Sequence, residues 1–273
     1  MTARAAAEAR REEPATESPR SGAGSLAAIS LDAVTKVYGH AGNAVPALDR
    51  VSLDVEPGEF VCLLGASGCG KSTLLNLVAG LDGPTTGTVE VRGGRPTLMF
   101  QEAALFPWLT VRGNVDLALK LRKISRPHRR ETVAALLDMV HLTGFEKKMP
   151  HELSGGMRQR VQLARALGQQ AEILLMDEPF GSLDAMTRDV LHDELERLWR
   201  ETGLTVLFVT HNVREAVRLG DRVVLLSSRP GRVVAEFPVE IDRPRRIESH
   251  SVADLAAQIT GRLRDEVRRH GAV

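Results

Sequence analysis

Apolar and polar residues alternate from Ile29 to Tyr38 and again from Ala47 to Val55, the period of half-buried strands. A turn over Glu56-Pro57-Gly58-Glu59 follows. Alternation then gives way to the unbroken run Phe60-Val61-Cys62-Leu63-Leu64, a short apolar strand, and Ser72 to Gly80 reads as a helix. Pro84-Thr85-Thr86-Gly87 turns the chain into strands at Thr88–Val91 and Thr97–Phe100, the second leading into Gln101. From there to about Pro150 the period changes to that of helices, as in Val115–Leu121 and Val133–Val140. This predicts a helical insertion over about 102–165, closed by Leu153-Ser154-Gly155-Gly156-Met157 at the start of one more helix. Strand–helix alternation then resumes. Ile173–Met176 is an apolar run ending in Asp177 and Glu178, as expected of a parallel strand buried on both faces. A helix over Met186–Arg200, a second buried strand ending at Thr210-His211, a helix over Asn212–Leu219 and closing strands from Arg222 complete an α/β pattern. Ala253–Arg269 has the pattern of an amphipathic helix, expected to dock on its own domain.

Composition narrows the class. Residues 1 to about 25 are rich in Ala, Arg, Glu, Pro and Ser with almost no large apolar side chains, so a disordered tail over 1–27 is expected. It lacks the apolar stretch of a secretory signal. The net charge of +1 argues neither for nucleic acid nor for an anionic membrane surface. Two cysteines, Cys62 and Cys69, make no disulfide framework and suit a reducing compartment. No apolar run reaches the roughly 18 residues of a spanning helix, so a membrane role would run through a partner.

The chemistry begins at Gly65-Ala66-Ser67-Gly68-Cys69-Gly70-Lys71-Ser72, which fits the phosphate-binding P-loop pattern. Its glycines let successive N–H groups face inward around anionic oxygens. Lys71 places a cation at the β/γ-phosphates, and the Ser72 hydroxyl is placed to ligate Mg²⁺. The strand before and the helix after supply the context the motif needs, with the positive end of the helix dipole at the phosphates.

Other candidates stand at strand and helix ends. Asp177 can hold Mg²⁺ directly or through water, and Glu178, pointing elsewhere because strand neighbours alternate, can polarise an attacking water. Two solvated carboxylates are the plainer alternative. Gln101 can reach Mg²⁺ or the attacking water, or simply remain solvated. His211 can bond a γ-phosphate, or serve as a cap or core residue. Tyr38, before Gly39 in a loop, can stack on a purine or only pack. Ser154-Gly155-Gly156 at a helix start is a second anion site in one chain, which suits a nucleotide held by another copy. Leu105, Phe106, Pro107, Trp108 and Leu109 either pack the insertion or form a groove for a short helix of a partner.

Tyr38, the P-loop, Gln101, Ser154-Gly155-Gly156, Asp177-Glu178, Ser182-Leu183-Asp184 and His211 follow the order and approximate spacing of ABC transporter ATP-binding subunits, which the chain resembles over about residues 28–240. Phe106-Pro107-Trp108-Leu109-Thr110-Val111 and Ser228-Arg229-Pro230-Gly231-Arg232 look like the narrower group serving importers of nitrate, sulfonates and taurine. The resemblance implies a P-loop NTPase of the ABC type: a mixed sheet core, an antiparallel β lobe and the inserted helical subdomain, with residues 241–273 a partly helical tail. It implies ATP and Mg²⁺ as cofactors. Nucleotide contacts are expected from Tyr38, Gly65, Ser67, Gly68, Cys69, Gly70, Lys71, Ser72 and Thr73, and across a head-to-tail homodimer from Ser154, Gly155, Gly156 and Asp184. Metal contacts fall to Ser72, Gln101 and Asp177, and catalysis to Glu178, His211 and Gln101. It further implies integral membrane permease subunits, a periplasmic or lipid-anchored solute-binding protein, and a place on the cytoplasmic face of the inner membrane. Nucleic acid is not an expected partner.

Rival P-loop classes fit less well. The Asn-Lys-x-Asp motif of GTPases is missing, a kinase has no need of Ser154-Gly155-Gly156, and the insertion is too short for the coiled coils of chromosome-maintenance ATPases. An ABC ATPase serving another permease, such as an exporter or lipid transporter, remains the alternative.

Overall fold

The computed structural model describes residues 27–39, 43–94 and 96–270, and for His270 only its backbone. The tail expected to be disordered falls outside these residues except for Ala27, which is buried. Strands β1 (Ile29–Tyr38), β2 (Val45–Val55) and β4 (Thr86–Val91) form an antiparallel sheet in the order β2-β1-β4. A six-stranded sheet runs β5-β6-β7-β3-β8-β9, from β3 (Phe60–Leu64), β5 (Thr97–Met99), β6 (Ile173–Asp177), β7 (Thr205–Val209), β8 (Arg222–Leu226) and β9 (Val233–Pro238). All neighbours in it are parallel except β8 and β9.

The continuous apolar runs follow from two covered faces. Val61 and Leu63 of β3, with Leu207 and Val209 of β7, pack towards helix α1 (Lys71–Val78) and the antiparallel lobe. Phe60, Cys62 and Leu64, with Val206 and Phe208, join a second cluster under the remaining helices. Helix α1 thus lies between the two sheets, which fixes the P-loop at its amino end. The insertion supplies α2 (Val111–Leu121), α3 (Arg126–Met139) and α4 (Gly155–Gly168); α5 (Ala185–Thr202) and α6 (Val213–Leu219) follow β6 and β7. Helices begin where the caps stand: Thr110, Ser154 and Asp184 accept from the N–H groups of Gly113, Met157 and Thr187.

The loop before α2 is built from inside. Asn114 is fully buried; its Oδ1 accepts from Phe106 N–H at 2.8 Å, and its Nδ2 donates to the carbonyls of Phe106, Leu109 and Thr110. Leu105 packs on the core while Trp108 is 71% exposed beside the Phe106 ring. Packing therefore does not account for Trp108.

Helix α7 (His250–His270) buries Val252, Ala256 and Ile259 in the cluster that holds α6. The link to it is anchored by Arg245, whose buried guanidinium donates to the carbonyls of Val217 and Gly220 at the end of α6, and to those of Ile241 and Val239. Burial, with Arg243 adding repulsion, lowers its pKa to about 10, so it stays charged at neutral pH. Arg245→Ala would leave those carbonyls without partners in a closed space. A loss of about 3 kcal/mol, roughly 8 °C in melting midpoint, is expected. The exposed neighbour variant Arg246→Ala should melt within about 0.5 kcal/mol of the parent. Equal midpoints for the two variants would refute the anchor.

Candidate functional site

Strand β3 ends at Leu64, and the chain turns through two left-handed glycines, Gly68 (φ 75°) and Gly70 (φ 102°), into α1. A Cβ on Gly70 would come 2.7 Å from the Ala47 carbonyl, so β2 can approach the loop only because Gly70 lacks one. Gly70 offers α1 no side-chain cap, which leaves the first N–H groups of the helix for a ligand. Lys71 is 7% exposed and donates from Nζ to the carbonyls of Gly65 (2.9 Å) and Ala66 (3.0 Å). Among the described residues no carboxylate comes within ion-pair distance of it. A buried ammonium held by two carbonyls and a neutral thiol, beside open N–H groups, is a site that calls for an anion. The Cys69 thiol lies 3.8 Å from Nζ, and burial pushes its pKa up, which keeps it neutral.

A cleft of about 430 Å³ brings Tyr38, Ser67, Gly68, Gly70, Lys71, Ser72, Thr73, Gln101, Glu178 and His211 together. Asp177, at the carboxyl end of β6, takes a hydrogen bond from the Ser72 hydroxyl. Burial pushes its carboxyl pKa up, the Ser72 bond and Lys71 oppose this, and Glu178 adds to it. A hydroxyl and a carboxylate in contact beside the phosphate loop are the oxygen ligands a hard divalent cation takes. The residues present fit both a polyphosphate and Mg²⁺.

Two expectations are corrected in detail. Glu178 does not owe its direction to strand alternation: it leaves β6 in the left-handed region (φ 45°), its N–H still bonded to Val209 O. Its Oε2 lies 3.0 Å from His211 Nδ1, so the two meet each other. Tyr38 is the last residue of β1, paired with Val45, and does not sit in a loop. Its hydroxyl donates to Asp82, and the Lys36 ammonium stands 4.9 Å from the ring.

Ser154, Gly155, Gly156 and Asp184 do not line the cleft. The Ser154 hydroxyl caps α4, and the Asp184 carboxylate caps α5, the Thr187 N–H bond holding its pKa below the usual range. These helix starts are tied to the cleft from behind. Gln159 of α4 accepts from Ser182 Oγ at 2.7 Å and lies 3.4 Å from Gln101 O, while Gln162 donates to Phe100 O.

Sequence reasoning missed two arrangements. One is a buried row in which Arg218 donates to His192 Nδ1 (2.7 Å), so that Nε2 carries the proton and donates to Glu215 (2.7 Å). Glu215 also accepts from Thr210, the neighbour of His211. A histidine on the buried face of α5 was the available signal. The other is Arg229, which reaches the cleft from the β8–β9 loop. A larger cavity of about 660 Å³, with Ile173 and Thr205 in its wall, lies at the amino ends of β6 and β7 and holds none of the expected residues.

The family model described as ABC transporter matches residues 48–181. A nitrate import ATP-binding protein of Synechocystis is 45% identical over 220 residues, covering 78% of this chain and 83% of the relative. An aliphatic sulfonates import ATP-binding protein of Bacillus cereus is 40% identical over 240 residues, covering 85% and 94%. Among solved structures, a dimeric post-hydrolysis state of an ATP-binding cassette bound to ADP and Pi superposes with a TM-score of 0.73 at 35% identity, covering 78% of this chain and all of that one. With the cleft's geometry and this extent of similarity, the chain belongs to the ABC transporter family, among its ATP-binding proteins.

Proposed function

We propose that this chain hydrolyses ATP to power import of a small oxyanion-type solute, of the nitrate, sulfonate or taurine class, through separate membrane permease subunits. The observation that carries the ATPase reading is Lys71: a buried cation with no carboxylate at ion-pair distance among the described residues, at the mouth of an uncapped helix, in one cleft with the Glu178–His211 pair. The names of the nitrate and sulfonate relatives support the importer reading. No helix among the described residues is long and apolar enough to cross a membrane, which suits attachment through a permease at the cytoplasmic face. A periplasmic or lipid-anchored solute-binding protein completes the proposed machine.

In this reading Lys71, the P-loop N–H groups and Thr73 bind the phosphates, and the Tyr38 ring faces the base. Ser72, Asp177 and Gln101 would hold Mg²⁺, which when bound neutralises charge on the phosphate oxygens. Glu178 takes a proton from the water that attacks the γ-phosphorus. His211 stands against that carboxylate, where its ring N–H can donate to Glu178 or to a phosphate oxygen. The cap residues Ser154 and Asp184, with Gly155 and Gly156, act on the ATP of a second copy, because they stand outside this copy's cleft. The dimeric cassette among the similar structures supports that assembly.

Trp108 is the proposed coupling contact. It is exposed, yet Asn114 holds its loop rigid, so little entropy is lost when a partner helix docks. Trp108→Ala should fold and bind ATP normally while weakening assembly with the permease by roughly 2 kcal/mol or more. Detergent pull-down beside a melting curve checks this; intact assembly with lowered stability would contradict it.

Uptake of labelled nitrate and taurine by cells lacking this chain tests the solute class. Loss of at least one uptake, restored by the parent chain and not by Lys71→Ala, is expected. Normal uptake of both, with altered export or lipid transport, would favour the exporter reading.

A further inference from the structure

The loop between β8 and β9, Ser227–Arg232, is held in place more firmly than a surface connection requires. Buried Ser227 Oγ lies 2.9 Å from Ser228 O and 2.8 Å from Pro230 O, and it accepts from Arg232 N–H at 2.9 Å. Gly231 bonds β2 on both sides: its N–H donates to Ala47 O and its carbonyl accepts from Asp49 N–H. A Cβ on Gly231 would come 2.2 Å from the Cys69 carbonyl, so the loop lies directly against the P-loop. Arg232 completes the clamp by pairing with Asp49.

What the clamp presents is Arg229. Its Nε donates to Gly68 O at a long 3.3 Å, and its side chain lines the same cleft as Lys71 and Ser72. The nearby arginines are neutralised, Arg222 by Glu59 and Glu236 and Arg232 by Asp49. Arg229 is exposed and pairs with no carboxylate among the described residues. A guanidinium has five N–H donors, and a single hydrogen bond leaves most of them directed at no protein acceptor. A guanidinium with spare donors, carried to an anion site by a clamped backbone, is suited to a phosphate oxygen.

We propose that Arg229 is a second cationic contact to the phosphate chain of the bound nucleotide, acting beside Lys71 from outside the P-loop. This rests on the nucleotide reading of the cleft. The spare guanidinium donors bond a β- or γ-phosphate oxygen, so the contact discriminates by phosphate number and leaves the adenosine end untouched.

The test is equilibrium competition of ATP, ADP and AMP against a fluorescent ATP analogue, at protein concentrations low enough to keep the chain monomeric. Arg229→Gln, Arg229→Lys and Lys71→Ala are compared with the parent, each with a melting curve. Arg229→Gln should weaken ATP about tenfold, the scale of one charge-assisted bond, while AMP shifts by less than about twofold. Arg229→Lys should recover part of the loss, and the salt dependence of ATP binding should flatten in the Gln variant. Equal losses for ATP and AMP would mean that Arg229 only braces Gly68, and that overturns the proposal. So would an unchanged ATP affinity in Arg229→Gln alongside a lost one in Lys71→Ala. If Lys71→Ala itself binds ATP like the parent, the nucleotide reading of the cleft fails, and Arg229 falls with it.

Discussion

Replacing Lys71 by alanine is expected to abolish ATP hydrolysis and to weaken ATP binding by about 2–4 kcal/mol, the scale of a lost desolvated charge pair. The ammonium is buried, it rests on the Gly65 and Ala66 carbonyls, and among the described residues no other lysine lines the P-loop cleft. Without it the phosphates would face the Gly65 and Ala66 carbonyls with no ammonium between them. Fold stability without nucleotide should change little, because relief of a buried charge offsets the two hydrogen bonds lost by the Gly65 and Ala66 carbonyls. Nucleotide affinity and turnover measured on the same preparation check this. Near-parental turnover would remove the phosphate-site assignment.

Glu178→Gln should separate chemistry from binding. The amide keeps the shape of the carboxylate and its approach to His211 Nδ1, but it cannot take a proton from water. Hydrolysis is expected to fall by roughly 10²–10⁴ with ATP affinity within a few-fold of the parent. The backbone at Glu178 is left-handed and its N–H is anchored to Val209 O, so the substitution has no conformational freedom with which to compensate. Single-turnover hydrolysis with saturating Mg-ATP is the measurement. A parental rate would show that another group activates the water.

The parts of the site that could be read from the chain are those in which local order and function coincide. Phe60–Leu64, the glycines and the helix from Lys71 follow one another without interruption, so the phosphate loop was legible with its context. The buried parallel strands were legible because both their faces are covered, which removes alternation. The order in which they pair was not. Strand β3 lies between β7 and β8, more than a hundred residues downstream, and no local pattern encodes such neighbours. The direction of Glu178 depends on a left-handed backbone that composition does not signal in a glutamate. His192 and Glu215 are 23 positions apart and meet only when α5 and α6 pack. Arg229 carries no local signal in the sequence beyond the family resemblance of Ser228–Arg232. Its place over Gly68 comes from Gly231 closing on Cys69, a contact between distant segments. The exposed Trp108 was ambiguous for a different reason: an apolar cluster reads alike whether it faces the core or a partner.

Two copies are expected to close around ATP, each completing the other's site. Size-exclusion chromatography with light scattering on Glu178→Gln, with and without Mg-ATP, measures this directly, since ATP persists when hydrolysis is blocked. The expected result is a monomer without nucleotide and a dimer with it. The double variant carrying Ser154→Arg should stay monomeric while binding ATP as tightly as Glu178→Gln, because Ser154 is an exposed cap outside its own cleft. A Glu178→Gln variant that binds ATP and remains a monomer, or a Ser154→Arg double variant that still dimerises, would contradict the composite site.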